Sequence, residues 1–581
     1  MIATPPTRGD RGHRDLKALG GLIFLYVFPG LLLWVAAWLS GGGPRPDVWN
    51  WPAAAIVAAM KQQPFAPWTW VGARGVVSPA LFYAICAVAV LLLGAAALAV
   101  YNGVQGGIVA WSPNLFRQAV GPARVNRRQV RRVLVRGPEP RRMILGHRGT
   151  SVIATEPGDS LVVLGPRGSG KTSAFCVPII QEWSGPVLAA GLGQDLVGST
   201  AGIRQRQGRV EVYDPAAVTN LATCAWSPVT GSEVMDVAVR RAGWMMPGLP
   251  EDTARERGDE VPEAAAGALL AVSLWAAAHS GASVGELRGW LGDPACRLLR
   301  AAVMRARPVD PRAERCLAAL ARMSTPDRTA CCGTVETLLR GAEADHFAGL
   351  AGSAGLDTRG LFGGADGGNG TLYVVAPPDE PQRTAPLQSG ILGALLDEAF
   401  GLATSGPGQA LDRPLLVVLD GTAGLAPVRE LGQYLAVGGQ LNVTLLVTFE
   451  DLGDAERGYG SLADEVVGSA QSVVVLGTQV DEQTLRLIAD LARRWPAGGG
   501  GAGPRRRSGA AHVVDGEALL DSTRLLGPGH ALLLSEALPP VPFWTRRWYE
   551  TASLVELSAA LPYTKGVRWT EVIPEGRPPG R

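Results

Sequence analysis

A short glycine-rich segment carries the clearest chemical signal in the sequence. Gly165, Gly170, Lys171 and Thr172 fit the spacing G-x-x-x-x-G-K-[ST], directly after the apolar run Leu161–Leu164, which predicts a buried strand. Glycines let successive backbone N–H groups surround a phosphate, and the dipole of the following helix favours negative charge there. Lys171 is predicted to contact the β- and γ-phosphates, and the Thr172 hydroxyl to bind Mg²⁺. The predicted ATP-binding residues are Gly165, Pro166, Arg167, Gly168, Ser169, Gly170, Lys171 and Thr172.

Such a phosphate loop requires an acidic side chain at the end of a nearby strand, where it positions Mg²⁺ and water. Asp420 follows the apolar run Leu415–Leu419 and precedes a glycine, as expected for the end of a buried parallel strand. The alternative pair, Asp397 and Glu398, lies among apolar residues at helical spacing, which favours the end of a surface helix. Asp420 is therefore predicted to be a catalytic residue and, with Thr172, a ligand of Mg²⁺.

The rest of the chain supplies the elements that must position this site. Further apolar runs alternate with helical stretches, as a doubly wound, mainly parallel sheet requires. From 232 to 349 the strand signals stop and helical periodicity takes over, with a capping box at Ser283 and Glu286. We therefore predict an α/β nucleotide-binding domain in two parts, 151–231 and 350–555, with an all-α domain inserted at 232–349 and a C-terminal tail at 556–581. The further predicted strands lie within 186–191, 209–215, 371–378, 442–451 and 471–478.

Two apolar stretches near the N-terminus, at about 21–40 and 81–100, match the roughly 20 residues that cross a bilayer. Four basic residues precede the first stretch and nine arginines lie between 117 and 142, so the positive-inside rule places both ends in the cytoplasm. The first stretch lacks the cleavage site of a signal peptide. The predictions are a cytoplasmic tail at 1–17, a two-helix transmembrane hairpin within 18–100 and a basic juxtamembrane linker at 101–150. The arginines also suit DNA contact, an alternative to a topology signal.

Composition agrees with a few spans attached to a globular body. Hydrophobic residues make up 47% of the 581 residues and charged residues 18%, with a mean hydropathy of +0.14. These values are more apolar than those of a soluble enzyme and less apolar than those of a polytopic transporter. The seven cysteines form no CxxC pair and no zinc-finger spacing, so we expect packing residues in a reducing compartment.

Taken in order, these features resemble the type IV coupling proteins, the TraG/TraD class of conjugative DNA-transfer ATPases. The resemblance covers about 161–550, and the N-terminal hairpin fits it as well. Besides the phosphate loop and the helical insertion, its carriers are DLVGSTAGIR, YDP (Tyr213–Pro215), AWSP (Ala225–Pro228), LYVVAPP, LDGTAGLAPV, VTFEDLGDAERGYG (Val447–Gly460), LGTQVDEQT (Leu476–Thr484) and RRWYE.

The resemblance implies a RecA-like P-loop NTPase that forms a hexamer in the bacterial inner membrane. Its all-α domain would accept a relaxase–DNA complex, and ATP would drive delivery to the channel proteins of a type IV secretion system. Three positions depart from the family pattern. Gly421 replaces the glutamate of the usual Asp-Glu pair, Glu450 replaces a polar sensor that is usually glutamine, and Gly193 replaces a lysine.

These departures leave two functional hypotheses. One is an ATP-driven translocase of DNA or nucleoprotein, and the other is a membrane docking receptor that binds nucleotide but hydrolyses it poorly. Other membrane-tethered P-loop pumps generally lack a helical insertion of this size. Because the strand before Glu450 should lie beside the Asp420 strand, Glu450 is predicted to orient the attacking water in place of Gly421. The alternative is that Glu450 is a polar strand-end residue in a weak ATPase.

Overall fold

The chain, as a computed structural model, divides into two compact units, Met1–Ser112 and Pro113–Arg581. Before residue 132 the structure describes only 35–36, 39, 80 and 83–88, and its last described residue is 559. Between 132 and 559 it leaves out 220, 222–223, 247–262, 294, 341–355, 357, 363–368, 380, 407, 422–425, 478–480, 494–528 and 536–537. The sheet and the helices that position the predicted site all belong to the second unit.

Within the described residues, no helix has both the length and the apolar character needed to cross a bilayer. The two predicted spans, at about 21–40 and 81–100, lie almost entirely outside those residues. The arginine-rich stretch from 117 to 131 lies outside them as well. The transmembrane hairpin and its orientation therefore stay predictions.

One mixed sheet of twelve strands organises the described part of the second unit. Its spatial order is β1-β3-β2-β12-β11-β10-β4-β9-β8-β5-β7-β6. The strands are β1 (Leu134–Val135), β2 (Ile144–Arg148), β3 (Ser151–Ala154), β4 (Leu161–Leu164), β5 (Val187–Leu192), β6 (Val210–Tyr213), β7 (Thr371–Ala376), β8 (Leu415–Asp420), β9 (Val443–Phe449), β10 (Ser472–Leu476), β11 (His530–Ser535) and β12 (Leu538–Thr545).

The seven strands from β10 to β6 in this order are all parallel, and they are the seven that the sequence predicts. Strands β4, β7, β8, β9 and β10 are buried along their whole length, because both faces of the sheet are covered. The prediction of a mainly parallel sheet is confirmed for this half. The five remaining strands, which the sequence did not reveal, extend it with antiparallel pairs.

Helices cover the sheet and fill the connection from β6 to β7. Thr172–Cys176 forms a single π-helical turn after the phosphate loop. The α-helices are α1 (Val177–Glu182), α2 (Asp195–Gln207), α3 (Met235–Met245), α4 (Glu263–Ser280), α5 (Val284–Leu291), α6 (Arg297–Arg305), α7 (Pro311–Arg322), α8 (Thr325–Leu339), α9 (Thr358–Phe362), α10 (Pro381–Ser405), α11 (Leu431–Val437), α12 (Leu452–Tyr459), α13 (Ala463–Gly468), α14 (Glu482–Arg493) and α15 (Ala552–Ala559).

Helices α3 to α8 pack around one apolar core, to which Leu387 of α10 also contributes. The predicted capping box at the start of α5 is present, with Ser283 and Glu286 each bonded to the other's backbone N–H. Helix α3 also contacts α10 closely: a Cβ on Gly393 would lie 2.5 Å from the Trp244 ring. Glycine therefore lets the two helices approach. The assignment of 232–349 as a domain of its own stays a prediction.

Most of the cysteines lie in the interior of the protein. None of the seven, all of which are among the described residues, forms a disulfide bond, and Cys176, Cys224, Cys296, Cys331 and Cys332 are buried. Cys296 and Cys332 contact each other in the core of the helical segment, with their Sγ atoms 3.4 Å apart. They pack as small apolar side chains, as the sequence analysis expects.

Candidate nucleotide site

The phosphate loop joins β4 to the π-helical turn, at the carboxyl edge of the parallel strands. Gly168 and Gly170 have φ angles of +76° and +97°, which L side chains rarely adopt. A Cβ on Gly165 would lie 2.7 Å from Ser169 Oγ and 2.9 Å from Leu476 Cβ, so that position is sterically closed to larger residues. The Gly165 amide donates to the carbonyl oxygen of Phe449 at 3.1 Å, which fixes the loop against the end of β9.

Lys171 lies within its own loop. Its ammonium group donates to the carbonyl oxygens of Gly165 and Pro166, the second at 3.3 Å. Burial lowers the pKa of Lys171, while the carboxylates of Glu450, Asp420 and Asp454 raise it in turn. Acidic and basic groups are thus concentrated around the point where a phosphate chain would enter, and the lysine is placed to exchange its carbonyl partners for phosphate oxygens.

Thr172 and Asp420 meet although 248 residues separate them in sequence. The Thr172 hydroxyl donates to Asp420 Oδ2 at 2.6 Å, and the Thr448 hydroxyl donates to Asp420 Oδ1 at 2.9 Å. Strand β9 lies between β4 and β8, and its register pairs Thr448 with Asp420. The sequence analysis did not single out Thr448, because its role follows from the sheet order. A hydroxyl and a carboxylate side by side are hard oxygen ligands, which fit Mg²⁺.

Glu450 directly follows β9, at the same edge of the sheet. Its Oε1 accepts a hydrogen bond of 2.6 Å from Arg167 Nε, so the carboxylate is bound to the tip of the phosphate loop. Its backbone N–H donates to Asp454 Oδ2 at 3.0 Å, at the start of α12. Desolvation raises the pKa of Asp454, and the Glu450 charge adds to the rise. Glu450 thus lies next to the loop, in contact with one of the predicted ATP-binding residues.

The two glycines at family positions also have defined places. Gly421 follows Asp420 with a φ of +65°, and its N–H donates to Thr448 Oγ1 at 2.9 Å. Gly193 has a φ of +70° and forms the turn between β5 and α2. Both backbones therefore occupy the left-handed region, where a glutamate or a lysine would be strained.

Next to the phosphate loop lies an open cavity of about 500 Å³. One wall is formed by Asp195 and Ser199 on α2, and the other by Arg547, Trp548 and Tyr549 after β12. The sequence analysis did not assign these five residues to the site, although two of the resemblance motifs contain them. The floor consists of Gly168, Gly170, Lys171, Thr172, Ser173 and Val177.

Other resemblance motifs serve the scaffold. Arg204, at the end of DLVGSTAGIR, is fully buried and donates to Thr371 Oγ1 at 2.8 Å and to the carbonyl oxygens of Trp183 and Gly185 at 2.7 and 2.6 Å. Burial lowers its pKa to about 10. Asp214, in YDP, accepts from the backbone N–H groups of Val218 and Thr219 and so fixes the loop after β6.

The alternative carboxylates lie elsewhere. Asp397 and Glu398 are on α10, more than a turn before its end at Ser405, and both line a second cavity of about 290 Å³ beside α3. Asp397 pairs with Arg240 at 3.5 Å. The prediction that this pair lies on a helix is confirmed, but the pair does not end that helix, which continues to Ser405.

The family model described as "Type IV secretory system Conjugative DNA transfer" matches residues 130–228. No curated protein matches the sequence significantly. Among solved structures, the unbound monoclinic form of the bacterial conjugative coupling protein TrwBdeltaN70 is 16% identical, with 72% of this chain and 91% of that chain covered and a TM-score of 0.50. Plasmid coupling protein TrwB in complex with ADP and Mg²⁺ is 16% identical, with 73% and 92% covered and a TM-score of 0.47. VirB4 of Thermoanaerobacter pseudethanolicus is 13% identical, with 70% and 96% covered and a TM-score of 0.37.

The matched segment contains the phosphate loop, α2, YDP and AWSP, which are the first carriers of the predicted resemblance. The likeness to unbound TrwB concerns the fold and covers most of both chains. The predicted resemblance is thereby confirmed: residues 130–228 match the family model for conjugative DNA transfer, and the fold is similar to that of the coupling protein TrwB.

Proposed function

We propose that this chain is a membrane-anchored coupling protein that uses ATP and Mg²⁺ to deliver DNA, or a relaxase–DNA complex, to a type IV secretion channel. The observation that supports it best is the 2.6 Å hydrogen bond between Thr172 and Asp420 beside Lys171. Two distant segments thus supply the hydroxyl, the carboxylate and the ammonium group that phosphoryl transfer requires. The family match over 130–228 supplies the link to DNA transfer.

The chain's own residues have distinct tasks in this proposal. The backbone N–H groups of Arg167, Gly168 and Gly170 would surround the phosphates, since those of Gly165 and Ser169 donate to the carbonyl oxygens of Phe449 and Pro166. Lys171 would neutralise the phosphate charge. Thr172 and Asp420 would hold Mg²⁺, and the hydrogen bond from Thr448 fixes the orientation of the Asp420 carboxylate. A bound Mg²⁺ would supply positive charge against the negative charge that develops on the phosphate.

Glu450 is proposed to orient the attacking water, in the role that Gly421 has no side chain to fill. The position of Glu450 supports this role. Glu450 directly follows β9, which lies between β4, the strand before the phosphate loop, and β8, the strand that ends at Asp420. Arg167 holds Oε1 and leaves Oε2 for a water molecule. A group in this role typically contributes about 10²–10⁴-fold to the rate.

The second candidate is a docking receptor that binds nucleotide but turns it over slowly. The specific observation in its favour is the same Arg167–Glu450 ion pair, because the guanidinium occupies one of the two carboxylate oxygens. Gly421 also lacks a carboxylate altogether. The two candidates share the binding site and differ only in turnover.

The remaining parts of the proposal concern the assembly. The segments at about 21–40 and 81–100 would anchor the chain in the inner membrane with its main body in the cytoplasm. The helices between 232 and 349 would recognise the DNA or relaxase cargo, and the chain would form a hexamer. The hydropathy and charge pattern supports the membrane anchor, and the apolar core that α3 to α8 share supports a recognition role for these helices. The hexamer is what the resemblance implies.

The decisive experiment measures ATP binding and ATP hydrolysis by the full-length protein in lipid nanodiscs, with and without DNA. DNA-stimulated hydrolysis supports the motor. ATP binding with negligible turnover under both conditions supports the receptor. Absence of ATP binding contradicts both, since both depend on the phosphate loop.

A further inference from the structure

The cavity beside the phosphate loop extends beyond what a phosphate chain requires. Its volume of about 500 Å³ lies in the usual range for small-molecule sites of about 300–1,000 Å³. The loop forms one side of it, and residues Arg547, Trp548 and Tyr549 form another. The phosphate loop would bind only the phosphates of a nucleotide. The wall formed by Arg547, Trp548 and Tyr549 therefore has no ligand group assigned to it.

The second wall is fixed to the helix that follows the phosphate loop. Arg546 donates to both carboxylate oxygens of Glu182 at the end of α1, through Nη1 at 2.7 Å and through Nη2, and both side chains are 14% exposed. Such a bidentate pair is strong and geometrically specific. Helix α15 adds a second attachment: Gln181 donates to Ser558 Oγ at 2.5 Å. The wall is therefore held at a set distance from the loop.

The side chains on this wall match the rest of a nucleotide. Arg547 Nε lies 3.4 Å from where a Cβ would be on Gly170, so the guanidinium is next to the loop, where it can reach a phosphate near the sugar. The Tyr549 ring is 49% exposed and lines the cavity. Trp548 packs against the main core and meets Tyr549 edge to face, with the ring centroids 5.7 Å apart. An aromatic face held in this way is a stacking platform for a base.

We propose that Arg547 and Tyr549 bind the nucleoside monophosphate part of the nucleotide, Arg547 through the α-phosphate and Tyr549 by stacking on a purine base. Trp548 holds the Tyr549 ring in place. The inference rests on the proposed function, since it needs the phosphates to lie in the loop at Lys171. It adds a part of the site that is more than 370 residues away in sequence and beyond the segment that the family model matches.

The test compares a ligand that has a base with one that lacks it. Calorimetry on the full-length protein in nanodiscs measures the Kd of Mg·ATP and of Mg·tripolyphosphate. Tyr549→Ala is expected to weaken ATP about tenfold and to leave tripolyphosphate within about twofold, because base stacking alone is lost. Tyr549→Phe should match the parental protein. Arg547→Ala should weaken both ligands, since it removes a phosphate contact.

Two controls separate the possible failures. Val555→Ala, a half-exposed residue on α15, should change neither Kd. Lys171→Ala should weaken both ligands, and unchanged binding of both would overturn the phosphate site and with it this inference. If Lys171→Ala has its effect but Tyr549→Ala leaves ATP binding intact, or weakens both ligands equally, the stacking role is wrong while the proposed function stands.

Discussion

In the sequence, Asp420 and the pair of Asp397 and Glu398 are alternative candidates for the same role, and the structure gives them different partners. Asp420 ends a parallel strand, where the hydroxyls of Thr172 and Thr448 donate to its two oxygens. Asp397, on α10, pairs with the guanidinium of Arg240. Neutral donors orient a carboxylate and leave its negative charge uncompensated, whereas an arginine compensates it.

The difference shows why position in the fold matters more than residue type. A strand-end carboxylate at a sheet edge faces the crevice where α/β folds bind ligands, and its charge is available to a cation. A helix-surface carboxylate beside arginine stabilises packing between helices. Glu450 shares one feature with each of them: like Asp420 it lies at the end of a strand, and like Asp397 it pairs with an arginine, here Arg167.

Of the changes at the predicted nucleotide site, removal of Lys171 should have the largest effect on ATP binding. Lys171→Ala is expected to weaken ATP binding by about 100-fold or more and to abolish DNA transfer, because several charge-assisted hydrogen bonds to phosphate are lost. The unbound fold should keep its Tm, since burial lowers the pKa of Lys171 and its charge gains little from folding. Fluorescent nucleotide titration and calorimetry measure the two quantities. Unchanged ATP affinity would show that the phosphates bind elsewhere.

The variants Asp420→Asn, at the end of β8, and Asp397→Asn and Glu398→Gln, on α10, compare the contributions of the two groups of carboxylates to turnover. We expect Asp420→Asn to lower Mg²⁺-dependent turnover by about 10- to 100-fold, the usual consequence of losing a hydrogen-bonded charge. The two α10 variants are expected to stay within about twofold. Turnover is measured over a Mg²⁺ titration. Equal losses in all three variants would mean that the strand edge is not the metal site.

The parallel half of the sheet could be predicted because buried parallel strands consist of uninterrupted apolar residues, as in Leu415–Leu419. The antiparallel half could not. Strand β12 contains Pro539, Pro540 and Pro542, which argue against a strand, and β1 has two residues.

At the site, local sequence motifs were enough to predict Lys171 and Asp420. The contacts between side chains on different strands could not be predicted without the strand order. Thr448 meets Asp420 only because β9 lies between β4 and β8. The absence of a glutamate at Gly421 also has a backbone reason that composition does not reveal. Its φ of +65° would cost an L residue about 1–2 kcal/mol.

Glu450 decides between motor and receptor. If it orients water, Glu450→Gln should lower kcat by at least about tenfold and leave ATP affinity unchanged, because the amide keeps the shape and loses the basicity. Glu456→Gln, at an exposed position on α12, is the matched control and should leave kcat unchanged. Single-turnover hydrolysis with saturating ATP gives the rate. A parental rate in Glu450→Gln would remove Glu450 from the mechanism and favour the receptor.

The smallest effect is expected from the partner of Glu450. Arg167 is 87% exposed, and exposed ion pairs contribute about 0–1 kcal/mol, so Arg167→Ala should change kcat by no more than about fivefold. The direction of the change in kcat separates two roles of Arg167. A loss of kcat means that Arg167 positions the Glu450 carboxylate for the reaction, and a gain means that Arg167 holds the carboxylate away from it.

A double-mutant cycle provides the first control, because it isolates the interaction between the two side chains. In the Glu450→Gln background, Arg167→Ala should have no further effect. Arg486→Ala breaks an exposed pair of 2.7 Å with Glu482 on α14 and should leave kcat at the parental value. If Arg167→Ala and Glu450→Gln act additively, the ion pair has no part in turnover, because each residue then affects the reaction independently.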